Sequence, residues 1–145
     1  LSALIEKRSG LAVEKVAGRG VQRIFRFLSD AGVDHFKVDY SLQMEAALKI
    51  RNCLIHAEGL LSWDKNEASI RRIISKGTFL SDYHRGRRNK MGQPIDEVSI
   101  LVSEIGDRIK ISNEYSYVVA SYSRGYLIGA ANAAHDIFAK TTRRQ

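Results

Sequence analysis

The sequence predicts a mainly α-helical domain with one small β-hairpin before its C-terminal helix. Three observations carry this expectation. The 145 residues include a single Pro, so little in the chain interrupts a helix. Two long segments, 42–63 and 113–140, repeat apolar residues at the three- and four-residue spacings of a helix face. Between them the period changes: Val98, Ser99, Ile100, Leu101 and Val102, then Arg108, Ile109, Lys110 and Ile111, are β-type runs flanking Gly106–Asp107. A hairpin accounts for these runs, with Ile109 and Ile111 on one face; one strand plus a helical turn is the alternative.

Length and composition bound the function. A 145-residue chain with 44% hydrophobic residues is large enough to bury a core, so 1–145 is expected to be one domain. It begins with Leu, which fits a domain excised from a longer chain. No apolar run approaches the roughly 18 residues of a membrane span, and no signal-peptide pattern is present. No membrane partner is therefore expected. The lone Cys53 excludes an internal disulfide, and no Cys/His cluster has metal-ligand spacing. Neither a metal nor a cofactor is expected, and a reducing cytoplasm fits. The net charge of +7 points to an acidic partner, nucleic acid being the commonest.

Residues 1–30 hold one or two helices, with Leu11, Val21, Ile24, Phe25 and Leu28 marking a buried face. Lys15, Arg19, Arg23 and Arg26, at spacings of four, four and three, fall on one side of a helix. They form either a solvated face or a rail that tracks phosphates. Gly18 and Gly20 loosen or kink this helix rather than cradle a phosphate, since no strand precedes them. Asp30, Ala31 and Gly32 form a helix stop, and His35 in the following connection is expected to be an exposed loop residue.

The segment 42–63 reads as a helix of about six turns. At 100° per residue, Glu45, Lys49, Asn52 and His56 fall on one narrow polar stripe that Trp63 extends. Leu42, Ala46, Ile50, Cys53, Leu54, Ala57 and Leu61 form one apolar face, and Met44, Leu48 and Ile55 another. A helix apolar on two sides is expected to be covered on two sides, which carries the stripe into an interior or an interface. Arg51 lies about 100° from Asn52, and its long stem lets the guanidinium reach towards Asn52 and His56. The three together offer a cation for phosphate, an orienting amide and a titratable acid/base. Phosphodiester chemistry is allowed by this set, as is a satisfied polar seam.

Asp64 three residues before Glu67 makes a capping-box-like start, with Asn66 as a rival cap, for a short helix that Gly77 ends. His84, Arg85, Gly86, Arg87, Arg88, Asn89 and Lys90 contain no apolar residue and read as a mobile basic loop. The loop is either a solvated run or an RNA backbone contact. Ser112 and Asn113 then cap the last helix. Tyr115, Val118, Val119, Tyr122, Tyr126 and Ile137 form its core face, and Gly129, Ala130 and Ala133 leave room for close helix approach. This helix is expected to pack on the central one.

The run Ile50-Arg51-Asn52-Cys53-Leu54-Ile55-His56-Ala57-Glu58-Gly59 resembles the Arg-polar-x3-His motif of the HEPN superfamily, most closely its RiboL-PSP-like, defence-associated branch. The resemblance implies a HEPN-like helical bundle that forms a homodimer in which two motifs face each other. It also implies a metal-independent endoribonuclease of a toxin or antiphage-defence system. In that mechanism one His56 takes the ribose 2′-hydroxyl proton, and the 2′-oxygen attacks the adjacent phosphate in line. Arg51 stabilises the charge that builds there, the second His56 or water protonates the leaving 5′-oxygen, and Asn52 orients the phosphate or the imidazole.

RNA is the partner implied, with Lys49, Arg85, Arg87, Arg88, Lys90, Arg19 and Arg23 as its expected backbone contacts. An antitoxin or regulatory protein is a further partner that the resemblance allows. In HEPN toxins paired with nucleotidyltransferase antitoxins the motif often continues with a Tyr two residues after the His. Here Glu58 stands at that place, so regulation by modification of that Tyr does not carry over. The alternatives are a non-catalytic HEPN-like module that dimerises and binds RNA or a nucleotide, and a structural helical adaptor.

Overall fold

A computed structural model describes residues 5–7, 10–90 and 97–142. It is mainly helical, with one two-stranded antiparallel hairpin before the last helix. The chain divides into two compact units: Leu1–Ser41 with Arg124–Gln145, and Leu42–Ser123.

In the first unit, helix α1 (Gly20–Asp30) buries Phe27 and Leu28. It stops as the sequence suggests: Ala31 N donates to the Phe27 carbonyl at 3.0 Å and Val33 N to that of Leu28 at 2.8 Å. The rail of four cations does not form. Lys15 lies on a separate short turn (Val13–Lys15) and Arg19 precedes the helix. Arg23 Nε donates to the Gly18 carbonyl at 3.0 Å and Arg26 Nη1 to that of Ala17 at 3.2 Å. Two of the guanidinium groups thus hold the chain entering the helix, which starts only at Gly20. His35 is not a free loop residue either. Its half-buried ring stacks on Phe25, with centroids 4.7 Å apart, and its Nδ1 lies 3.2 Å from Ser29 Oγ.

The long last helix, here α5 (Asn113–Thr142), contributes Tyr126, Ala130 and Ala134 to this unit's buried residues. A Cβ on Gly125 would lie 2.5 Å from Tyr40 Cε2, and one on Gly129 2.9 Å from Val38 Cγ1. The small residues therefore admit the connection at 38–40, where the sequence suggested a neighbouring helix.

The second unit is built on the central helix α2 (Ser41–His56), followed by a 3₁₀ turn (Leu61–Trp63), α3 (Glu67–Lys76) and α4 (Asp82–Lys90). Strands β1 (Val98–Leu101) and β2 (Arg108–Ile111) pair in the register Val98↔Ile111 to Leu101↔Arg108, which puts Ile109 and Ile111 on one face as expected. Ala46, Ile50 and Cys53 of α2 share a core with Ile70, Ile109 and Tyr115, so the start of α5 does pack with the central helix. Each fully buried aliphatic side chain such as Ile50, Leu61 or Ile70 contributes about 1.5–3 kcal/mol.

Three local expectations are corrected. The central helix ends at His56 instead of continuing to Trp63. The capping box at Asp64 does not close: Asp64 Oδ1 accepts from Asn66 N at 2.6 Å, while Glu67 pairs with Arg71. The basic run is helical, forming most of α4, because Ser81 just ahead of it caps the helix: its Oγ accepts from His84 N at 3.4 Å.

Candidate active site at the end of the central helix

The exit from α2 is a tight, well-bonded turn. Ala57 N and Gly59 N both donate to the Cys53 carbonyl at 3.0 Å, and Leu60 N donates to Ala57 at 2.7 Å. Glu58 and Gly59 are both left-handed, at φ 51° and 79°, a conformation that Gly adopts freely and Glu does not. The segment then runs along the free edge of β2. Ile109 N donates to the Gly59 carbonyl at 2.9 Å, Leu61 N to that of Asp107 at 3.0 Å, and Leu60 bridges Arg108. Arg71 Nη2 completes the clasp by pairing with Asp107 and with Glu67, each at 2.8 Å. The carboxylates of Asp107 first and then Glu67 hold this guanidinium's pKa above its ordinary value.

On this frame the last two turns of α2 present Arg51, Asn52 and His56, all exposed. Arg51 Nη1 donates to Asn52 Oδ1 at 3.1 Å. Asn52 and His56 lie four residues apart, neighbours along one helix face. Among the described residues the His56 imidazole takes part in no hydrogen bond or ion pair. Lys49 on the same stripe is held back: its Nζ lies 2.9 Å from Glu45 Oε1 and 3.0 Å from Ser69 Oγ.

The stripe is not carried into the interior. No polar or charged residue is buried among those described, and the second apolar face is left half-covered. Met44 and Leu48 are partly buried, while Ile55 is 54% exposed. Packing from one side leaves the polar groups hydrated, so their desolvation cost does not arise within the chain. Trp63 sits on the turn beyond the helix and does not extend the stripe.

Behind the site, Cys53 is buried with its Sγ 3.8 Å from the Leu60 carbonyl. Burial first, and then the Asp64 carboxylate, push its thiol up to about 11. It stays neutral and serves as core rather than nucleophile.

The remaining expected RNA contacts lie on other elements. Arg85 pairs with Asp82 and also donates to the Lys76 carbonyl at 3.2 Å. Arg87, Arg88 and Lys90 lie on α4, and the positions of their side chains fall outside the described structure. Arg19 and Arg23 belong to the first unit.

One polar cluster was not legible in the sequence. Tyr122 OH accepts from Ser81 N at 2.8 Å and lies 2.8 Å from His84 Nδ1, which is itself 3.1 Å from Ser81 Oγ. The Ser-x-x-His spacing at 81–84 hints at a cap, but the Tyr partner lies some forty residues away. The cluster satisfies the start of α4, which makes His84 a structural residue.

Among the described residues, no group of three His, Cys, Asp or Glu side chains is placed to hold a metal ion. No helix among them is long and apolar enough to cross a membrane. Comparison with protein-family models, curated proteins and solved structures finds no match to the chain.

Proposed function

We propose that the chain is a metal-independent endoribonuclease of a toxin or antiphage-defence system, acting in the cytoplasm as a homodimer. The observation that carries this reading is the exposed triplet at the end of α2, in which Arg51 is held on Asn52 at 3.1 Å one turn from His56. A guanidinium fixed beside an amide suits a phosphate, and an imidazole free of other partners suits proton transfer. One His56 accepts the 2′-hydroxyl proton, the 2′-oxygen attacks the phosphate, and Arg51 stabilises the developing charge. The 5′-oxygen leaves with a proton from the second His56 or from water, giving a 2′,3′-cyclic phosphate.

Pairing two copies supplies the second imidazole and covers the exposed Ile55. An antitoxin or other regulator belongs to the same proposal. RNA contacts from Lys49 require it to exchange Glu45 for a phosphate.

A second reading, a binding module for RNA or a nucleotide, is favoured by the absence of any group orienting His56 among the described residues. His56→Ala separates the two. Under the first reading this variant binds RNA and does not cut it. Under the second the wild type does not cut either, and the variant binds as the wild type does.

A further inference from the structure

We propose that Ser81, His84 and Tyr122 form a pH-sensitive latch, which holds the start of the basic helix α4 on α5 while His84 is neutral and opens when its imidazole takes up a proton. The proposal is independent of the ribonuclease reading. Helix α4 carries Arg85, Arg87, Arg88 and Lys90, and none of its described residues is buried. Apolar packing therefore does little to hold it, and the attachment of its start rests on hydrogen bonds. Tyr122, 1% exposed, supplies a hydroxyl that accepts from Ser81 N at 2.8 Å and lies 2.8 Å from His84 Nδ1. The His84 and Tyr122 rings meet edge to face, with centroids 5.3 Å apart. All three residues belong to the second compact unit.

The hydrogen count makes the latch sensitive to pH. The Tyr122 oxygen already accepts from Ser81 N, and its own hydrogen has two acceptors in reach, His84 Nδ1 at 2.8 Å and Ser81 Oγ at 3.3 Å. The shorter contact takes the hydrogen, which leaves the proton of the neutral imidazole on Nε2. Protonation puts a second donor on Nδ1, facing the hydroxyl hydrogen. The hydroxyl must then turn to the longer contact, and a cation is left in the first turn of a helix, where the macrodipole opposes it. Among the described residues no carboxylate pairs with this imidazole. On its own helix it faces Tyr83, with ring centroids 5.4 Å apart, and Asp82 is exposed and paired with Arg85, which also binds the Lys76 carbonyl at the end of α3. From α5 come Tyr122 and Tyr115; burial first, and then Tyr122 and Glu97, push the Tyr115 hydroxyl up, so it stays neutral. From α2 comes the Gln43 amide, 3.4 Å from the Leu80 carbonyl. The lost O–H···N bond and the dipole together lower the ratio of closed to open latch by roughly 4- to 60-fold.

The Ser81 amide reports the latch directly, because it donates to Tyr122. Hydrogen exchange of the full chain is followed by NMR at about pH 8 and about pH 5, either side of the histidine range, with each rate corrected for its intrinsic pH dependence and the His84 ring titrated alongside. Protection of the Ser81 amide, and of Arg85 N, which donates to the Ser81 carbonyl at 2.9 Å, is expected to fall roughly 4- to 60-fold as His84 becomes protonated. The Ile50 and Cys53 amides in the core of α2 should keep theirs. His84→Gln retains a side-chain acceptor for Tyr122 and cannot take up a proton, so it should keep the protection and lose the pH dependence. Tyr122→Phe should lack the protection at both pH values. Ser81 protection that is equal at the two pH values, or absent at the higher one, overturns the latch. So does a fall that persists in His84→Gln, a fall that the core amides share, or full protection in Tyr122→Phe. The wild-type comparison and His84→Gln decide the matter even if Tyr122→Phe fails to fold.

Discussion

The amide of Ile109 donates to the carbonyl of Gly59 at 2.9 Å, so strand β2 holds the turn by which the chain leaves the candidate site. The hairpin is thereby more than a link between helices. It holds the segment that follows α2, and Arg71 ties it to α3 through Asp107.

Gly59→Ala tests that relationship. The site has room, since a Cβ would meet Leu54 Cδ2 at 3.6 Å, an ordinary contact. The cost is conformational, about 1–2 kcal/mol for a side chain at a left-handed φ. Urea unfolding should show the loss, and Gly59→Asn should lose less because Asn tolerates that region. An unchanged midpoint for Gly59→Ala would mean that the turn does not constrain the exit.

Ile55→Glu tests the dimer. Ile55 is exposed within the chain, so the change should leave the fold intact while weakening association through the central helix. Light scattering at micromolar concentration is expected to give a dimer for the wild type and a shift towards monomer for the variant. A monomeric wild type would count against the composite site.

Cys53 gives a pH prediction whose sign follows from its raised pKa. The buried neutral thiol adds stability that is fully present below the ordinary thiol value of 9.0 and is lost as the pH rises towards about 11. Unfolding midpoints should fall across that window, and less so for Cys53→Ala. Alkylation of the folded chain near pH 8 should be far slower than that of the urea-unfolded chain. Equal rates would contradict the burial.

Neutralising Arg85, Arg87, Arg88 and Lys90 should flatten the salt dependence of RNA binding, by roughly 0.7 in slope for each phosphate that is no longer neutralised. Arg85 is engaged by Asp82 and by the Lys76 carbonyl, so Arg85→Gln alone should change the slope least. An unchanged slope for the fourfold variant would make the basic run of α4 a solvated surface.

What the sequence revealed and what it hid divide along physical lines. The hairpin was legible because a period of two on Ile109 and Ile111, with Gly106–Asp107 between the runs, has few other solutions. The triplet was legible because spacing alone puts Asn52 and His56 on one face. The end of α2 was misread because its turn relies on Glu58 in a left-handed conformation, which no residue preference announces. Helix α4 was missed because its support, the Ser81 cap and Tyr122, lies outside its own composition. Periodicity showed two apolar faces on α2 but could not say which of them this chain covers.

The central claim is tested most directly by the products of RNA incubated with the pure protein in excess EDTA. Attack by the substrate's own 2′-oxygen requires ends with a 2′,3′-cyclic phosphate and a 5′-hydroxyl. A 2′-deoxy sugar at the scissile position should be bound and left intact. His56→Ala and Arg51→Ala should each fold and lose most of the activity, on the order of 10²–10⁴-fold for the acid–base residue. Cleavage that needs a metal ion and leaves 5′-phosphate ends, or that survives His56→Ala undiminished, would contradict the account.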